Sequence, residues 1–168
     1  MNIYFTSRPN IGSKLIQWAT DGDVSHVALG LGGSVYHSTE HGFKQVHFYD
    51  FEAEFKIERS LTFNIPDDKA LLALSSLIPK NLSYDFSAFA YFAWRAYLYK
   101  YHKISMPKTN AWNSRGYLCT ETAGAADKIS RLLGYGPLLD GSIDLAITSP
   151  IELYYLLEAK AAGRWLCS

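Results

Sequence analysis

The chain has 168 residues, of which 48% are hydrophobic and 19% are charged, a balance typical of a globular protein rather than a disordered one. Sixteen basic and sixteen acidic residues cancel to a formal net charge of zero, which gives no electrostatic case for nucleic-acid binding. The length predicts a single domain over residues 1–168.

The N-terminal residues MNIYFTSRP lack the basic stretch and apolar run of a signal peptide. Charges interrupt the most apolar segment, 82–101, before it reaches the roughly 18 to 20 residues of a membrane-spanning helix. We therefore expect no transmembrane segment and a cytoplasmic location, or delivery by another route such as a phage virion. Two cysteines without an export signal predict reduced thiols.

The first half of the chain shows strand and turn patterns around one helix. Ser13 is the predicted N-cap of a helix over 14–20, and two glycines at 32–33 predict a hairpin turn. The predicted strands are 3–6, 26–31, 34–38, 43–49 and 55–63.

The second half shows helical patterns. Ser149 and Glu152 fit a capping box, with Pro150 at the first helical position. The predicted helices are 67–78, 87–101, 118–133 and a last one from 150. Strands followed by helices predict an α+β fold, an antiparallel sheet with helices packed on it.

One cysteine and one histidine occur in contexts that suit catalysis. Cys119 lies in the first turn of a predicted helix, where backbone N–H groups and the helix dipole stabilise a thiolate. His26 opens an apolar strand and is the candidate general base. The pair predicts a cysteine hydrolase or acyltransferase, whereas Cys167 has no comparable context.

A catalytic histidine needs a third group that orients its ring. His37 lies on the strand expected to pair with the strand of His26, so folding at the glycine turn brings the two histidines close. Glu40, in the following turn, is the alternative third residue. The pattern favours His37 and leaves Glu40 open.

A metal site and a structural role are the competing interpretations of these residues. The segment 37–41, HSTEH, matches a zinc peptidase motif, but that motif requires both histidines on one helical face and this segment resembles a strand and turn. We therefore expect no metal and no other cofactor. Buried cysteines and histidines also occur as ordinary core residues, which would make the chain a non-catalytic binding domain.

Four segments, in this order, resemble the circularly permuted branch of the NlpC/P60 papain-like superfamily, which includes YiiX/YebB-like hydrolases and lecithin retinol acyltransferase-like proteins. They are the helix and turn at 14–26, which lead into Ser-His-Val, the hairpin 27–37, the Tyr-Asp segment 82–86, and Tyr-Leu-Cys-Thr-Glu at 117–121. The resemblance covers about residues 1–130 and leaves the C-terminal helix unassigned.

The resemblance implies a permuted papain-like fold with Cys119 as nucleophile, His26 as base and His37 as the orienting residue. It implies attack on an amide or ester carbonyl and a thioester acyl-enzyme, with the Cys119 N–H and the Tyr84 hydroxyl as oxyanion donors. We expect a thiolate–imidazolium pair that stays ionised near neutral pH.

Members of this superfamily cleave cell-wall peptides, amides in other proteins, or acyl groups on lipids. Of these activities, the one we expect for this chain is that of a peptidoglycan endopeptidase or amidase. The aromatic stretch 88–101 keeps a lipid acyl hydrolase or acyltransferase as the alternative, and a non-catalytic binding domain is the second alternative. The partner is then a peptide or lipid acyl substrate. The sequence gives no indication of the oligomeric state.

Overall fold

The computed structural model describes residues 1–39, 41–77, 86–104, 119–145 and 148–162, with only the backbone described at 77 and 86–92. Glu40, Tyr84 and Cys167, which the sequence analysis singled out, therefore lie outside the described residues.

Within these ranges the chain is α+β, as predicted. The strands are β1 Asn2–Ser7, β2 His26–Leu31, β3 Ser34–Thr39, β4 Gly42–His47 and β5 Lys56–Thr62. The helices are α1 Ile11–Thr20, α2 Phe48–Glu54, α3 Asp67–Leu77, α4 Phe86–His102, α5 Glu121–Leu132 and α6 Pro150–Ala161.

The strands form one antiparallel sheet in the order β4-β3-β2-β1-β5. β2 is the central strand and pairs with β1 on one side and β3 on the other. The turn between β2 and β3 uses Gly32 and Gly33 at positive φ, +55° and +79°, which glycine adopts without steric cost. The predicted hairpin is confirmed.

The sheet buries apolar side chains on both faces. Side chains of a strand alternate between faces, so Val27 and Leu29 of β2 lie on one face while His26 and Ala28 lie on the other. The first face forms the larger core with α3, α5 and α6. The second face is smaller, and Phe51 and the adjoining Phe55 cover it. His26 therefore projects toward α2.

Three local predictions need correction. α2 was not predicted, and residues 48–49 belong to it rather than to a strand. Asn10, not Ser13, caps α1: its side-chain oxygen accepts a hydrogen bond from the Ser13 N–H at 2.8 Å. Ser13 is buried, and its hydroxyl instead accepts from the Arg8 N–H and contacts the Ser25 hydroxyl.

Two features of the C-terminal half concern the site and the unassigned segment. α5 begins at Glu121 rather than at 118, so Cys119 lies in the turn that precedes the helix. The capping box at the start of α6 is confirmed, with Ser149 and Glu152 bonded reciprocally. α6 packs on β1 and β5, so the segment beyond residue 130 contributes to the main core.

No helix in the described ranges is long and apolar enough to cross a membrane.

Adjacent leucines of α6 provide a test of this packing. Leu157 is fully buried, whereas Leu156 is 38% exposed. Leu157→Ala is expected to lower the free energy of unfolding by about 2–5 kcal/mol, because it leaves a cavity in the core. Leu156→Ala is the matched control with a much smaller loss, both measured by urea unfolding. Equal losses would contradict the placement of α6.

Candidate active site

His26 and His37 form a hydrogen bond at the open end of the β2–β3 hairpin. His26 Nε2 lies 3.1 Å from His37 Nδ1, and the two rings are close to perpendicular, at 84°. His37 pairs directly with Ala28, so His26 is its diagonal neighbour on the same face of the sheet. The bond uses Nε2 of His26 and leaves Nδ1 as the nitrogen that would meet a nucleophile.

Aromatic rings from α2 and its C-terminal cap enclose this pair. Phe55 stacks on His26 at 5.0 Å between ring centroids, with the planes 24° apart. His37 contacts Phe51 and Phe55 edge to face at 5.1 and 5.4 Å. The Arg8 guanidinium lies over the outer side of Phe55, at 4.5 Å, and forms an ion pair with Glu54. These contacts fix both imidazole planes.

The sequence analysis did not identify Phe51, Phe55 or Arg8 as site residues. The spacing of Phe51 and Phe55, four residues apart, is helical and was the available signal for α2. No sequence pattern marked Arg8 as a site residue, because its position over Phe55 depends on the path of the chain at the end of β1.

The surrounding protein makes the half-buried His26 ring hard to protonate. Desolvation, followed by the nearby charges of His37 and Arg8, lowers the pKa of His26 to about 3. The ring is therefore a neutral imidazole at pH 7. It takes up a proton during a reaction, from a nucleophile, and not from solvent at rest.

The Cys119 thiol is also held in its neutral form. The side chain is 7% exposed, and burial raises its pKa to about 11. The nearby backbone N–H groups of Val27, Thr120 and Cys119 oppose that rise in pKa, while the Glu121 carboxylate adds to it. The expected thiolate–imidazolium pair is therefore wrong for this resting arrangement, because desolvation outweighs the N–H groups at the start of α5.

The thiol lies next to the backbone of His26. One of the N–H groups that lower its pKa is that of Val27 on β2, whose nitrogen is bonded to the carbonyl carbon of His26. β2–β3 pairing begins at Ala28 and His37, so His26 and Val27 precede the paired stretch at the same open end. In the part of the chain that the structure describes, no hydrogen bond joins Cys119 to the His26 ring. The structure thus brings the two histidine rings into contact and places the thiol near the backbone N–H of Val27.

The turn that carries Cys119 is anchored by its own hydrogen bonds. The Cys119 carbonyl accepts from the Thr122 N–H at 3.1 Å, which starts the helical pattern of α5. The Thr120 hydroxyl donates to the Leu145 carbonyl at 2.7 Å and ties the turn to the loop before α6. These bonds fix the turn that carries the thiol.

Two threonine hydroxyls near these residues are buried without a hydrogen-bond partner among the described residues. Thr6 pairs directly with His26 across β1 and β2, and Thr122 lies three residues after Cys119 in α5. Buried hydroxyls are normally bonded, so both are candidate partners for an internal water. Neither was predicted from the sequence.

The zinc-motif segment lies in a hairpin. His37 belongs to β3, and His41 precedes β4 by one residue, so the helical spacing that the motif requires is absent here. Within the described ranges no cluster of three or more metal-ligating side chains is found.

Titration of His26 provides a test of this environment. The unfolded chain protonates His26 near its ordinary pKa of 6.5, whereas the folded chain does so near 3. His26 therefore lowers folding stability progressively as the pH falls from 6.5 toward 3. The NMR signals of labelled His26, assigned with His26→Gln, are expected to keep neutral-imidazole shifts at pH 5. A titration midpoint near 6.5 would contradict this environment.

No protein-family model matches this chain, and no curated protein matches it.

Proposed function

We propose that this protein is a cysteine hydrolase with a permuted papain-like fold, in which Cys119 is the nucleophile, His26 the general base and His37 the orienting residue. The observation that carries the proposal is the 3.1 Å bond between His26 Nε2 and His37 Nδ1. It gives His26 an orienting partner on one nitrogen and reserves the other for proton transfer, next to a buried thiol on the same strand end.

The reaction proceeds from a neutral thiol and a neutral imidazole. As the sulfur attacks the substrate carbonyl carbon, the thiol proton passes to Nδ1 of His26, and the carbonyl electron pair moves to oxygen. The tetrahedral intermediate then expels an amine or alcohol, which takes the proton back from His26, and leaves a thioester on Cys119. Water, deprotonated by His26, hydrolyses the thioester and restores the thiol.

Proton transfer accompanies the attack because neither charged form is stable beforehand. A thiol with a pKa of about 11 and an imidazole with a pKa of about 3 do not exchange a proton at rest. A side-chain rotation of Cys119 toward His26 supplies the missing contact when substrate displaces water from the site. A neutral His37 ring, accepting the Nε2–H of His26 through its Nδ1, stabilises the imidazolium that forms.

Oxyanion stabilisation is assigned to backbone N–H groups. Those of Cys119 and Thr120 lie close enough to the sulfur to lower its pKa, so we place them near the carbonyl oxygen of a group attached to it. The Tyr84 hydroxyl, implied by the family resemblance as a further donor, lies outside the described residues.

The substrate class rests on the family resemblance. We propose amide bonds in cell-wall peptides, cleaved by an endopeptidase or amidase reaction. A lipid acyl hydrolase or acyltransferase is the alternative, supported by the aromatic residues exposed on α4. Two assays distinguish these activities. An endopeptidase or amidase releases soluble peptides from purified sacculi, whereas a lipid acyl hydrolase releases fatty acid from phospholipid.

A non-catalytic binding domain is the second candidate. It is supported by the raised pKa of Cys119, since an inert buried thiol has this property. It also requires no contact between the thiol and His26.

Trapping of the acyl-enzyme separates these candidates. Incubation with a p-nitrophenyl ester, followed by intact mass and peptide mapping, is expected to place an acyl group on Cys119. Cys119→Ala abolishes the adduct, and Cys167→Ala, which removes the other cysteine of the chain, keeps it. Acylation of Cys167 alone, or of neither cysteine, would contradict a catalytic role.

The same experiment assigns the histidines. His26→Gln is expected to slow acylation by about a hundredfold or more, because the general base is lost. His37→Gln gives a smaller loss, because an amide still bonds His26, whereas the exposed His47→Gln on β4 is the matched control and retains the wild-type rate. Equal rates in all three variants would exclude the assigned roles.

A further inference from the structure

Helices α1 and α4 pack together and expose a row of stacked aromatic rings. Trp18 stacks on Tyr101 at 6.1 Å, Tyr101 contacts Tyr97 at 5.0 Å, and Tyr97 stacks on Trp94 at 5.8 Å. We call this surface the aromatic face. Its exposed members are Ile11, Leu15 and Trp18 on α1, Trp94, Tyr97 and Tyr101 on α4, and Ile104 after it.

The exposure of this row is unusual for a protein in water. Trp94 is 57% exposed and Tyr101 is 61% exposed, and the rings contact one another rather than being scattered. Isolated apolar residues on a surface need no explanation, but a contiguous patch indicates an interaction site. Trp and Tyr in particular favour a boundary between water and an apolar phase, because an apolar ring carries a polar tip.

The charges around the aromatic face are positive. Residues 93–104, which cover the described side chains of α4 and the two residues after it, contain three Lys or Arg and no Asp or Glu. Lys14 lies three residues after Ile11 on α1, Lys103 follows Tyr101 by two residues, and both are exposed. Asp21, at the C-terminal end of α1, forms an ion pair with Lys100, whose ammonium also lies over the Trp18 ring. The face therefore combines exposed aromatic rings with a cationic rim.

We propose that the aromatic face binds the surface of a phospholipid bilayer that contains anionic headgroups. Aromatic side chains insert at the headgroup level, and the lysines meet the lipid phosphates, which is how peripheral helices bind membranes without crossing them. A second copy of the chain is a poorer occupant, because symmetric pairing would bring the lysines of both copies together. The proposal does not depend on the hydrolase activity.

Vesicle co-sedimentation in a Cys119→Ala background tests the proposal without substrate turnover. Binding to phosphatidylcholine vesicles containing phosphatidylglycerol is expected, with much weaker binding to phosphatidylcholine alone and a loss at high salt. Trp94→Ser with Tyr101→Ser is expected to weaken binding by about tenfold or more. Tyr135→Ser, at an exposed tyrosine outside the face, is the matched control and binds normally.

The charge contribution is tested separately. Lys14→Gln and Lys103→Asn are each expected to weaken binding by about fivefold. Asn suits position 103 because its φ is +56°, and Lys69→Gln and Lys128→Gln, exposed on α3 and α5, serve as controls. Equal binding to both vesicle types would overturn the proposal. Unchanged binding of the ring variants or of the Lys14 and Lys103 variants would also overturn it. So would a dimer in sedimentation velocity that the ring variants dissociate, with no vesicle binding.

Discussion

The register of the β2–β3 hairpin is the constraint on which the candidate site depends. Gly32 and Gly33 close the turn at positive φ, and this closure pairs His37 with Ala28. The diagonal neighbour of His37 is then His26, and the two rings meet at hydrogen-bond distance. A shift by one residue would send one histidine to the opposite face of the sheet and break the pair.

Desolvation decides the chemistry of the site. The same packing that orients the rings removes water from His26 and Cys119, and it favours the uncharged form of both. The helix N-terminus alone suggests an ionised thiol, but three N–H groups near the sulfur do not offset its burial. A neutral pair has a mechanistic consequence: the base acts during the attack and not before it.

The sequence predicted the features that depend on local signals. The glycine turn, the capping box at Ser149 and the α+β class have signatures within a few residues, and the structure confirms each. α2 was missed because its seven residues are too few for a helical period to stand out beside strands. The packing of Phe51 and Phe55 around the two histidines, and the shifted pKa values of His26 and Cys119, depend on contacts between distant elements. No local sequence pattern indicates them. The catalytic roles of Cys119, His26 and His37 stay predictions.

The pH dependence of acylation at Cys119 tests the central claim most directly. The measurement is the rate of acyl-enzyme formation from a p-nitrophenyl ester between pH 4 and 9, in the wild type and in His26→Gln. If neutral His26 is the base, the wild-type rate stays level across this range and falls only as His26 protonates, near pH 3. The variant rate instead rises about tenfold per pH unit, following the thiolate population. A wild-type rate that rises as steeply as that of the variant would contradict the account.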